Sequence, residues 1–170
     1  MEVMGVKYKT TKDEFPKLEK TIEMFKDRKV NVGHLDGGEQ AWLAGIHEYG
    51  CTIPVTPDMR AWLHRHGLHL KKSTTEIHIP ERSFLRAGFD AYHEQVIDVA
   101  EKALKNALKN GNVDAYLEEV GQLLRDRIVD YANDLKDPPK HPFSLQMNPG
   151  KTNPLVISGD MIEATTYEVE

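Results

Sequence analysis

Apolar positions recur along the chain with two different periods, and the period sets the element. Leu85, Phe89, Tyr92, Val96, Val99, Ala103 and Leu108 form a nearly continuous stripe at helical spacing, which predicts a helix of roughly 25 residues and about 40 Å. Asn110-Gly111-Asn112 ends it: the glycine suits a left-handed C-terminal turn and Asn112 can cap the next helix. Val113, Leu117, Val120, Leu124, Ile128, Tyr131 and Leu135 then step by four, three, four, four, three and four, a heptad-like face. Two long helices joined by a tight turn make an antiparallel hairpin. Lys102, Lys105, Lys109, Glu118, Glu119, Arg125 and Asp126 fall on the opposite faces, so neither helix is buried all round.

Shorter patterns flank this hairpin. Val3, Val6 and Tyr8 alternate loosely in a strand from Glu2 to Lys9. Phe15, Leu18, Ile22 and Phe25 share one helical face, and capping by Asp13 keeps Pro16 in the first turn; a capping box of Thr11 and Glu14 would put it in the interior. Lys29 to Leu35 reads as a short strand with Val30, Val32 and His34 on one side, ended by Asp36-Gly37-Gly38. Trp42, Leu43, Ile46 and Tyr49 predict a short helix from Glu39, which Gly50 ends in a left-handed conformation. Cys51 to Pro80 reads as an irregular insertion. Within it Thr56 caps and Pro57 starts a small helix through His66, closed by Gly67, and Glu76 to Ile79 returns as a strand that Pro80 stops.

Asp137-Pro138-Pro139 breaks the second long helix, and the five prolines with Gly150 up to Pro154 predict an extended arm. Ser158 is placed to cap a last helical turn through Glu163, before a strand from Thr165 to Val169. The sum is an α+β fold: a small mixed or antiparallel sheet packed against a long antiparallel helical hairpin, with loop-rich insertions. We expect one domain over residues 1–170, divided into a body at 28–136, a proline-rich arm at 137–157 and a closing turn and strand at 158–170.

Composition narrows the function. With 170 residues the chain is one domain's worth, able to bury about 70% of its unfolded surface. Lys plus Arg number 22 and Asp plus Glu 27, giving a net charge of −5, which argues against a basic groove along a nucleic-acid backbone. Only 39% of residues are apolar while 29% are charged. That balance is thin for a compact monomer and suits long exposed helices, or apolar surface buried only on assembly. Apolar runs are too short for a membrane span and the N-terminus lacks a signal-peptide pattern, so a soluble cytoplasmic chain is expected. The lone Cys51 excludes an internal disulfide and any multi-thiolate metal site.

No candidate chemistry meets its geometric context. His47-Glu48 opens a string like the zinc-protease HExxH, but Cys51 stands where the second histidine belongs and Gly50 ends the helix before it. An exposed polar pair at a helix end is expected instead. His64, His66 and His69 in HRHGLH could gather a divalent metal, yet residues two apart on a helix point to nearly opposite sides and Gly67 interrupts the segment. We expect solvated or interfacial histidines there. Gly150-Lys151-Thr152 resembles the end of a phosphate-binding loop, but Leu145 replaces its first glycine and Asn153-Pro154 replaces the helix that must come after it. Ser158-Gly159-Asp160 lacks the nucleophile elbow, and no carboxylate pair follows from spacing. The expectation is a chain without catalytic residues, cofactor or metal. The competing classes are a metal-dependent hydrolase using the histidines and a cytoplasmic nucleic-acid-binding regulator, the latter disfavoured by charge.

Three stretches, in this order, resemble the tail-completion, or neck, proteins of tailed bacteriophages and prophages. LAGIHEYG, Leu43 to Gly50, is similar to an A-x-I-x-E-[FY]-G segment. IPERSFLR, Ile79 to Arg86, is similar to an I-P-x-R-[PS]-F-[LIF]-R entry to the long helix. DPPKHPFSLQMNPGKTNPLVISGDMIEATTYEV, Asp137 to Val169, is similar to a D-P-P … K-P-L-[IV]-D-[ST]-G ending, with Ile157 in place of the acidic residue and Phe143-Ser144-Leu145 in place of a Ser/Thr-rich run. The likeness spans roughly residues 28 to 169 and rests on order and spacing.

The resemblance implies a virion component that oligomerises as a ring, with six copies the expected number, between the head connector or adaptor and the tail tube or tail terminator. It would be found in the host cytoplasm during assembly, with no membrane partner and with DNA at most passing through a channel. The residues it marks are Ile46, His47, Glu48, Tyr49, Gly50, Pro80, Arg82, Phe84, Arg86, Pro138, Pro139, Pro154, Leu155, Ser158 and Gly159. Of these, Pro80 would fix the strand-to-helix corner, Arg82 and Arg86 would present cations on one helical face, and Phe84 with Leu85 would anchor the helix on the sheet.

Overall fold

The computed structural model describes residues 13–170. The strand expected over Glu2 to Lys9 lies outside the described residues. The fold is α+β, with α1 (Phe15–Glu23), β1 (Val30–Gly33), α2 (Glu39–Tyr49), β2 (Cys51–Pro54), α3 (Pro57–Arg65), β3 (Glu76–Ile79), α4 (Leu85–Asn110), α5 (Val113–Asp134), α6 (Pro142–Met147), α7 (Asp160–Glu163) and β4 (Thr166–Val169). The strands form two separate antiparallel pairs. β1 pairs with β4, Val30 opposite Val169 and Gly33 opposite Thr166. β2 pairs with β3, Cys51 opposite Ile79 and Pro54 opposite Glu76.

The α4–α5 hairpin forms as its apolar spacing predicts, turning at Gly111, whose φ of 77° is left-handed, and restarting where the Asn112 side chain accepts a hydrogen bond from the Ala115 amide. The buried positions differ in detail from the predicted stripe. Val96 and Ala107 of α4 and Val113, Leu117, Ile128 and Ala132 of α5 are buried, whereas Phe89 and Val99 are exposed. α5 also packs against the β1–β4 pair. Gly121 makes that second contact possible: a Cβ there would stand 2.5 Å from the Tyr167 ring of β4.

At the open end of the hairpin, Ala44 of α2, Phe84, Ile128 and Ala132 of α5, Leu155 of the arm, and Met161 and Ile162 of α7 build the main core. At its closed end, Lys17 Nζ donates to the Lys109 carbonyl at 2.7 Å, which holds α1 against the last turn of α4. Thr21 is the buried residue of α1, while its apolar face is turned outward, with Phe15 79% exposed.

Several local expectations are corrected. The cap position of α1 is Glu14, although the Asp13 carboxylate accepts from the Phe15 amide at 3.1 Å. The segment after Cys51 is regular, because β2 pairs with β3. In α2 the buried residues are Ala44 and Glu48, while Trp42 and Tyr49, placed on the packing face by periodicity, are exposed. The arm is not extended throughout. It contains α6, and Lys140, Pro154 and Leu155 within it are buried. Gly159, at φ 113°, is the cap position of α7; Ser158 stands one residue earlier, its Oγ accepting from the Asp160 amide at 3.4 Å.

Candidate functional site

The three resembling segments, far apart in the chain, meet at one junction where the end of α2, the start of α4 and the start of the arm touch. Its centre is Glu48, only 3% exposed. α4 has no capping side chain of its own, so its first amides need partners from elsewhere. Glu48 supplies them: its carboxylate accepts from the amides of Phe84 at 2.8 Å, Leu85 at 3.0 Å and Arg86 at 3.1 Å, and from Ser83 Oγ at 2.7 Å. Arg86 adds Nε to the same carboxylate at 2.9 Å and Nη2 to the Glu48 carbonyl at 2.8 Å. Burial alone would raise the Glu48 pKa, but the hydrogen bonds from Ser83 and from the Leu85, Arg86 and Phe84 amides hold it below the usual value. A carboxylate at a helix N-terminus also meets the positive end of the helix dipole.

Gly50 sets how closely α2 approaches this turn. Its φ of 67° is left-handed, and a Cβ would stand 2.8 Å from both the Glu81 amide nitrogen and the Ile79 carbonyl oxygen. Only glycine fits. Pro80 follows β3 and leads into the turn, where the Arg82 amide donates to the His47 carbonyl at 2.7 Å.

Arg82 ties in the third segment. It is 8% exposed and lies before α4, not on its face; Nε donates to the Pro138 carbonyl at 2.8 Å and Nη2 to that of Pro139 at 2.9 Å. The expectation of two cations displayed on one helical face is therefore overturned. Arg82 clamps the arm, while Arg86 neutralises Glu48, bridges to Glu81 at 2.9 Å and lies over the Tyr49 ring at 4.8 Å. Phe84 is fully buried and packs among α2, α5 and α7 instead of on a sheet, with the His34 ring edge-on to it. Leu85 faces β1, lining a shallow groove with Val30, Val32, Phe89, Leu124 and Ile128.

The pair His47-Glu48 is not the exposed helix end that its sequence implied. Glu48 is buried, and His47 is half-buried with Nδ1 lacking any hydrogen-bond partner. Burial first, then the charges of Arg82 and Lys140, push the His47 imidazole down to about 4. Ile46 is half-buried beside it. Pro154 and Leu155 fix the far end of the arm: Leu155 enters the core, and Asn153 donates Nδ2 to the carbonyls of Ala132 at 2.9 Å and Asn133 at 2.8 Å, closing the C-terminus of α5. Ser158 and Gly159 shape the start of α7.

Ser83, Lys140 and Asn153 belong to this arrangement, although no sequence motif marks them individually. All three lie inside the resembling segments, Ser83 in the second and Lys140 and Asn153 in the third. His64, His66 and His69 are exposed, with His64 Nδ1 2.6 Å from His69 Nδ1 and His66 stacked on Trp62. Among the described residues no three His, Cys, Asp or Glu side chains gather as a metal site, and no helix is long and apolar enough to cross a membrane. With its oxygens committed to amides, a hydroxyl and a guanidinium, Glu48 is a structural cap and has no free lone pair aimed at a substrate. No family model matches the chain, and comparison with curated proteins and with solved structures finds no similar one.

Proposed function

We propose that this chain is a non-enzymatic assembly protein of a tailed-phage virion, a neck or tail-completion subunit that joins the head connector to the tail tube as a ring of identical copies. One observation carries the reading: the three stretches that resemble that family, residues 43–50, 79–86 and 137–169, converge on the Glu48–Arg82 junction. Chance likeness in three separate segments gives no reason for them to touch. A common junction, in contrast, explains why order and spacing matter more than any single short motif.

The surface supports the same reading. Phe15 and Ile22 of α1 and Trp42 and Tyr49 of α2 are large apolar groups in solvent, and aromatic anchors of this kind are what subunit contacts bury. The long hairpin supplies a stiff body, and the net charge of −5 suits a passage through which DNA slides without adhering.

Electron microscopy of the purified protein, alone and mixed with the neighbouring head and tail proteins, tests the proposal. Closed rings with a central opening, alone or on a connector, are the expected result. A chain that stays monomeric with both neighbours present contradicts it.

A further inference from the structure

Where the arm closes over the end of α2, the structure buries cations without counter-charges. Arg82 and Lys140 are both buried, and neither forms an ion pair among the described residues. Their hydrogen bonds go to backbone carbonyls: Arg82 to Pro138 and Pro139, Lys140 Nζ to Lys151 at 2.8 Å and Val156 at 2.6 Å. A guanidinium carries more N–H groups than those bonds use, and an ammonium one more. Both hydrogens of Arg82 Nη1, one of Nη2 and one of Lys140 Nζ thus have no protein acceptor. Beside them is His47 Nδ1, buried and unpartnered. The backbone keeps the three residues close: Arg82 holds the carbonyls of the two residues before Lys140, and its own amide donates to the His47 carbonyl. Burial first, and then the charge of Arg82, lowers the proton affinity of both His47 and Lys140, and Lys151 adds a further positive charge beside Lys140.

Carbonyl dipoles offset part of the cost of burying such cations but supply no net negative charge. The adjacent carboxylate, Glu48, is already neutralised by Arg86 and the α4 amides. We propose that Arg82, Lys140 and His47 form a receptor for a single phosphate-like oxyanion. The Nη1 and remaining Nη2 hydrogens of Arg82 recognise two oxygens, Lys140 supplies a point charge, and His47 in its Nδ1–H tautomer donates a further hydrogen bond without taking a charge. Donors on three separate segments suit an anion with several oxygens pointing in different directions. The chain is acidic overall, which disfavours a polyanion, so a free oxyanion such as inorganic phosphate is the ligand, and a nucleic-acid backbone is the alternative source of the same chemistry. Bound there, the anion would lock the arm onto α2 and α4.

The test is thermal unfolding of the full chain in sodium phosphate against sodium chloride at equal ionic strength and pH. Ligand binding to the native state alone predicts a saturable rise of several degrees in phosphate. Lys140→Gln should abolish the rise, and Lys72→Gln, on an exposed loop, should keep it. A histidine-ring NMR titration of the wild type gives a second readout, in which phosphate raises the pKa of His47. This readout decides the matter if Lys140→Gln fails to fold. No rise beyond the chloride control, an equal rise in Lys140→Gln, or an unmoved His47 would each overturn the proposal. A rise with a short DNA duplex but none with inorganic phosphate would overturn it in favour of a nucleic-acid contact.

Discussion

Glu48, near the end of α2, accepts a hydrogen bond from the amide of Phe84 at 2.8 Å across 36 residues of chain. One helix thereby caps the next, and a single carboxylate sets both the start of α4 and its angle to α2. Replacing Glu48 by Ala leaves the buried Phe84 amide, the part-buried amides of Leu85 and Arg86, the Ser83 hydroxyl and Arg86 Nε without their acceptor. Glu48→Ala should destabilise the fold by about 3–5 kcal/mol in urea unfolding, as loss of one partner of a buried charged network does. Glu48→Gln, which keeps an acceptor but loses the charge, should lose about 1–2 kcal/mol.

Gly45 within α2 and Gly50 just after it make opposite predictions. Gly50→Ala forces a side chain onto a left-handed backbone and against the Glu81 amide, so a loss of about 2–4 kcal/mol is expected. Gly45 has nothing within 4 Å of an added Cβ. Gly45→Ala should therefore raise stability by about 0.5–1 kcal/mol through helix propensity. Equal effects at the two positions in the same denaturation assay would show that the α2–β3 approach is looser than described.

Neighbouring positions on the α5 face should also separate. Ile128, 3% exposed in the main core, predicts a loss of about 2–5 kcal/mol on truncation to Ala. Leu124, half-buried and lining the groove beside Phe89, should lose clearly less.

Acidification should weaken the fold in two steps. His47 titrates near 6.5 when unfolded but at about 4 in the native state, so between those values the unfolded chain binds the extra proton and stability falls as pH falls. The Glu48 contribution is present in full above about 4.5 and is lost at lower pH, because its native pKa is depressed. Denaturation midpoints measured from pH 7 to 3 in chloride buffers should show both steps, and His47→Gln should remove the upper one alone.

Local periodicity and capping chemistry account for the part of the fold that is legible in sequence. The α4–α5 hairpin, its Gly111-Asn112 turn, the Thr56 cap of α3 and the positions of β1 and β3 follow from them, and Thr56 Oγ1 does accept from the Met59 amide at 3.1 Å. The illegible part depends on contacts between distant segments. His47-Glu48 has the composition of a solvated helix end, and nothing nearby in the sequence reveals that the amides of residues 84–86 will meet it. Arg82 looks like a surface cation until Pro138 and Pro139 are brought beside it. The same holds for the arm: five prolines predict extension, but Arg82, Lys140 and Asn153 fasten it at three places and leave Leu145 and Met147 of α6 outside. Periodicity also identifies the apolar face of α1 without showing that it points to solvent, because direction relative to the hairpin is a tertiary property.

The proposed joining of heads to tails by this chain is tested by electron microscopy of particles assembled without it. DNA-filled heads and separate finished tails are expected, with joining restored by the wild-type chain and not by Glu48→Ala. Tailed, infectious particles formed in its absence would contradict it.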